Sequence, residues 1–217
     1  MNFVKTLVAA AAVAASCGAN ALVTGTLGGG AGTFAVLSSP TPGVAGTGGT
    51  LSGAITATIV GGAVYAADMA FADDVVPGEN FLAAGPTSGG FAPANTATLT
   101  FAGAGVSYIS FLWGSPDTYN TLTVNSTGGG SQTFTATGTG FGAAFPVTNG
   151  DQSFNQSVQF TALGASLITS LVFTSTGDAF EVGRFTVQSP IPEPETYALI
   201  LAGLGALGFI ARRRRQT

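Results

Sequence analysis

The chain has 217 residues and a formal net charge of −4, with no histidine, one cysteine and only 7% of residues charged. Between Leu22 and Pro190 it lacks His, Cys and Lys, which excludes a Ser-His-Asp triad, a Cys-His pair, a Schiff-base lysine and a His-ligated zinc site. The same stretch carries eight acidic residues against one basic residue, a net of −7, so it repels nucleic acid and anionic membrane surfaces rather than binding them.

The first 21 residues have the parts of a secretory signal. A basic start at Lys5 precedes an apolar stretch from Leu7 to Ala15, and Ala19-Asn20-Ala21 forms a small-x-small site, so signal peptidase is expected to cut after Ala21. Acylation at Cys17 is the weaker alternative, because Ala14 stands where such signals want leucine. Either route exports the chain. On the favoured cut the mature domain has no cysteine and must be stabilised by packing alone.

Residues 22–190 are long enough for one domain with a sizeable core. Their wealth of Gly, Thr, Ser, Ala and Phe predicts short strands joined by tight turns. A first edge strand is expected at Thr33 to Leu37, followed by a loop through Pro40 and Pro42. Leu51, Ile55 and Ile59 alternate with Ser52, Thr56 and Thr58 and predict a half-buried strand that Gly61-Gly62 ends. Periodicity then fades from Ala63 to Pro93. Asp68, Asp73, Asp74 and Glu79 gather there, an oxygen-rich set of the kind Ca²⁺ prefers, although the spacing matches no EF-hand and solvated loop charges are the plainer reading.

Ala97, Leu99 and Phe101 mark an inward face, and Val106 to Trp113 gives the strongest core signal, with Ile109, Phe111 and Trp113 on one side and Tyr108 and Leu112 on the other. That strand is expected to be central. After a turn at Gly114 to Asp117, Asn120 to Val124 and Gln132 to Thr137 predict a hairpin. Val158, Phe160 and Ala162 mark another strand, and Leu167 to Thr174 one that is apolar on both faces. In the last strand, from Ala179 to Gln188, Phe180 and Val182 keep one parity while Phe185 and Val187 take the other, which predicts a β-bulge at Gly183-Arg184. Arg184 is expected to pair with Glu181 or Asp178. Together these segments predict an all-β fold, a single antiparallel sandwich of jelly-roll type.

Trp113, Asp117, Tyr119 and Asn120 are the candidate sugar-binding group, since aromatic faces stack on sugar C–H groups while Asp and Asn bond hydroxyls. The bland alternative makes Trp113 core, Asp117 a turn cap and Asn120 a backbone tie. Paired carboxylates leave a glycosidase formally open, but no pair stands out and no enzyme is expected.

The tail follows. Thr196 to Ala211 is uncharged and spans roughly 24 Å as a helix, slightly short for a ~30 Å hydrocarbon core but workable with snorkelling arginines. Arg212, Arg213, Arg214 and Arg215 hold the terminus in the cytoplasm and leave the body outside. Pro192 and Pro194 on either side of Glu193 stiffen an extended peptide at the outer membrane face.

This order of parts, Pro192-Glu193-Pro194, apolar span, arginine run, resembles the PEP-CTERM sorting signal of Gram-negative bacteria, with a small departure at Glu195-Thr196. The resemblance covers residues 191 to 217. It implies recognition and cleavage by a membrane-embedded exosortase, a transient stay in the inner membrane, and delivery to the cell surface or extracellular matrix. Trp113 to Leu122 is similar to a W-G-S-x-D-x-Y-N-x-L pattern of one subgroup of exosortase-dependent proteins, which assigns no activity. A structural or adhesive role in exopolysaccharide or biofilm is the expected function. A carbohydrate-binding module is the alternative.

Overall fold

Period-two alternation dominates the body and is realised as strands. The computed structural model describes residues 23–44, 46–66, 78–86, 95–146, 149–151, 153–190, 199–205 and Leu207. In chain order the strands are β1 (Val23–Leu27), β2 (Thr33–Phe34), β3 (Val36–Ser38), β4 (Gly49–Ser52), β5 (Ala57–Gly61), β6 (Ala63–Tyr65) and β7 (Phe81–Ala84). After them come β8 (Thr96–Phe101), β9 (Tyr108–Gly114), β10 (Asn120–Ser126), β11 (Ser131–Thr135), β12 (Asn155–Ala162), β13 (Ile168–Ser175) and β14 (Phe180–Gln188).

They form two antiparallel sheets packed as a sandwich. One runs β1-β12-β9-β14-β7-β6, with β2 also paired to β14, and the other runs β11-β10-β13-β8-β5-β4-β3. Consecutive strands from β7 to β10 alternate between the sheets, so most neighbours within a sheet are distant in sequence. The inner faces meet around Phe111, whose ring lies 5.6 Å from each of Phe160, Phe173 and Phe185. All four are buried, each contributing on the order of 1.5–3 kcal/mol of apolar transfer.

The strongest expectations hold. Leu99 and Phe101 point inward, and β9 lies between β12 and β14 with Ile109, Phe111 and Trp113 in the core. The register of β14 on β9 shifts between Gly183 and Thr186, and Arg184 takes φ 52°, so Phe180, Val182, Phe185 and Val187 all reach the interior across a bulge.

Other expectations are corrected. The strand read through Leu51, Ile55 and Ile59 is a hairpin of two strands, β4 and β5, because residues 53–56 turn and Leu51 pairs with Ala57. β1 sits ahead of the expected first strand and pairs with β12. The expected strand at 33–37 is split, β2 going to one sheet and β3 to the other. β6 and β7 lie where periodicity faded, since both faces are covered and every residue in them is buried. On β13 only Val172 is apolar on the outer face.

In the tail, residues 199–205 and Leu207 are helical, with Leu199, Leu201, Leu204 and Leu207 exposed. No helix of the described residues is long and apolar enough to cross a membrane. The expected span 196–211 runs past the described residues at both ends. Ala19, Ala21, Pro192, Glu193, Pro194 and Arg212 to Arg215 also lie outside them.

Candidate functional site

The segment from Trp113 to Leu122 leaves the end of β9, crosses to the other sheet and enters β10. Trp113 is 0% exposed, stacked on Phe180 with ring centroids 4.3 Å apart and met edge-on by Phe145 at 5.4 Å. Neither ring face is open, so Trp113 supplies no sugar platform and acts as core.

Asp117, Thr118, Tyr119 and Asn120 are spent on neighbouring residues of the same end. Asp117 Oδ1 accepts the Gly150 N–H at 2.7 Å, and Asn149 Oδ1 accepts from Thr118 N at 3.0 Å while its Nδ2 donates to Thr118 Oγ1 at 2.9 Å. Asn120 Oδ1 lies 2.7 Å from Ser175 Oγ, and its Nδ2 donates to the Ala179 carbonyl at 3.4 Å. The Tyr119 hydroxyl donates to the Asp178 carbonyl at 2.8 Å. Its ring lies where a side chain on Gly177 would have to go, 2.8 Å from an added Cβ. Loops 149–151 and 175–179 are thereby clasped to one end of the sandwich. Sequence reading found Asp117, Tyr119 and Asn120 but missed Asn149, Ser175 and Gly177, whose contacts are long-range and leave no local pattern.

Asp117 is 1% exposed, and burial pushes its carboxyl above the usual range against the opposing pull of the Gly150 N–H. Burial first, then the facing Asp117 carboxyl, also raises Tyr119. The folded state therefore holds the Asp117 proton more tightly than the unfolded chain. Its contribution to stability is full below the unfolded value near pH ~3.9 and is lost as pH rises through the raised folded value. Asp117→Asn should remove this decline, so the stability of wild type minus variant falls from pH 4 upward and then levels. Denaturant midpoints between pH 3 and 8 check this; a difference that is flat or rises with pH contradicts it.

Of the four residues considered for calcium, Asp68, Asp73 and Asp74 lie outside the described residues. Glu79 Oε1 lies 3.6 Å from Arg184 Nη2, an ion pair across the sequence that local spacing did not single out. With both side chains partly exposed it adds little to stability. Among the described residues no group of three His, Cys, Asp or Glu is placed to hold a metal ion.

Fold and tail together define the class: an antiparallel β-sandwich followed, just past its central strand β14, by an apolar helical segment with exposed leucines. Residues 190–215 match the PEP-CTERM protein-sorting motif. The chain thus carries the signal of an exported protein that an exosortase processes and sorts to the cell surface. No curated protein and no solved structure matches the chain.

Proposed function

We propose that the sorted product is a structural or adhesive component of the extracellular polysaccharide matrix. In this reading the chain is exported by its signal segment, held briefly in the inner membrane by residues 196–211, and cut near Pro192-Glu193-Pro194. One observation carries it. The sorting motif begins at residue 190, two residues after β14 ends, so the cut removes the tail and leaves a complete sandwich. We read β7 to β14 as a jelly roll, since their orders β7-β14-β9-β12 and β8-β13-β10-β11 are those of two wrapped Greek keys. A structural role suits a body in which Asp117, Thr118, Tyr119 and Asn120 are engaged in tying loops.

The test is mass spectrometry of the surface-exposed protein from cells with and without the processing enzyme. Residues after the Pro-Glu-Pro segment should be missing only when the enzyme is present, and replacing Pro192, Glu193 and Pro194 with alanine should leave the tail attached in both strains. Recovery of surface protein with Arg212 to Arg215 still in place, enzyme present, would overturn the reading.

A further inference from the structure

The sheet β11-β10-β13-β8-β5-β4-β3 has no Asp, Glu, Lys or Arg in any of its seven strands. Among the described residues the charge of the body lies in the other sheet and in loops. Side chains alternate, so Leu37, Leu51, Ile59, Leu99, Leu122 and Phe173 fill the core while the outer face shows hydroxyls. Strand register lines up Asn125, Ser170, Thr100, Thr58, Thr50 and Ser38 in one row across six strands. At ~4.8 Å between strands that row reaches roughly 24 Å. A second row holds Thr133, Thr123, Val172, Thr98 and Val60, the last 72% exposed. At one end of the face a cavity of about 320 Å³ has a mainly apolar lining that includes Leu51 and Phe101, with Thr50, Ser52, Thr58 and Thr100 beside them.

We propose that this face binds a neutral polysaccharide strand, with the cavity seating one of its sugar units. Each Thr or Ser hydroxyl both donates and accepts, as sugar hydroxyls do, so a repeating row of them matches a repeating polyol. Threonine is stiff about χ1, so the array loses little side-chain freedom on binding. A charge-free face gives a polyanion no ion pair to make. A protein partner would look for an aromatic or arginine anchor, and the outer face of these strands offers none. A second copy would bring two bodies of net charge −7 together without such an anchor. The inference names the partner class for the matrix role and rests on it only in requiring an extracellular polymer.

The test uses the full chain purified in detergent, co-sedimented with cellulose, chitin and mannan as neutral probes and with calcium-gelled alginate as a charged one. Retention is expected on at least one neutral probe, unchanged between low and high salt, and at least tenfold weaker for Thr58→Lys/Thr100→Lys. Thr161→Lys on the outer face of the other sheet should bind normally. Thr58→Ser/Thr100→Ser, which keeps both hydroxyls, should melt like wild type and lose only part of the binding. Retention on none of the neutral probes, equal retention by the double-lysine variant, binding to alginate that salt removes, or self-association abolished by the same substitutions would each overturn the proposal. None of these results depends on the exosortase, so failure here leaves the sorting reading standing and failure of processing leaves this one standing.

Discussion

Trp113→Ala should lower the stability of the sandwich by about 3–5 kcal/mol, the range for truncating a fully buried aromatic. Trp113 is enclosed by Phe180, Phe145 and Phe141 at 4.3, 5.4 and 6.5 Å between ring centroids. Phe180 and Phe145 belong to different parts of the chain and are themselves buried, so the site can collapse only in part. Its indole Nε1 has no hydrogen-bond partner among the described residues, so the loss is one of packing and not of a polar contact. A domain of ordinary stability has on the order of 5–15 kcal/mol, and such a loss takes a large share of it. Trp113→Phe keeps a ring against Phe180 and should cost distinctly less. Denaturant midpoints measure both. A change within ±0.5 kcal/mol for Trp113→Ala, the size expected of a surface residue, would return Trp113 to the sugar-platform reading.

That contrast shows where the sequence spoke and where it did not. β8, β10 and β12 were legible because each alternates apolar with polar side chains, and β9 because it is a run of large apolar residues between turn signals. The bulge at Arg184 was legible for a similar reason: a parity change in an apolar pattern has few other causes in a strand. β6 and β7 were not, since their small and apolar residues are buried on both faces and alternation vanishes when neither side meets water. The β4–β5 hairpin was hidden because Ile55, packed against the core from within the turn, continued the period of Leu51 and Ile59.

The functional part divides the same way. The tail announces itself in a contiguous string of residues, because a membrane and a processing enzyme both read linear features. The clasp around Asp117 and Asn120 depends on Gly150, Ser175 and Ala179, and only the fold brings these together. The hydroxyl rows lie between. Each Thr-x-Thr pair is visible in the sequence, but the row from Asn125 to Ser38 exists only once five separate registers are set.

Gly62→Ala should cost roughly 2–5 kcal/mol, because two independent penalties fall on one atom. The chain leaves β5 in one sheet and enters β6 in the other at this point, and Gly62 makes the step with φ 62°. An L-residue held in that region costs about 1–2 kcal/mol. A Cβ there would also stand 2.7 Å from the Ala83 carbonyl oxygen and 2.7 Å from Ala97 Cβ, one in each sheet, and a methyl forced into a packed site adds about 1–3 kcal/mol. The partners belong to β7 and β8, so relief would require the sheets to move apart. Gly103→Ala separates the two effects, since Gly103 has φ 69° but nothing within 4 Å of the added Cβ. It should lose only the conformational part, and the difference in denaturant midpoints between the two variants then measures how closely the sheets approach at the crossing. Equal losses would mean that the close approach at Gly62 carries no cost and that backbone conformation alone fixes the glycine there.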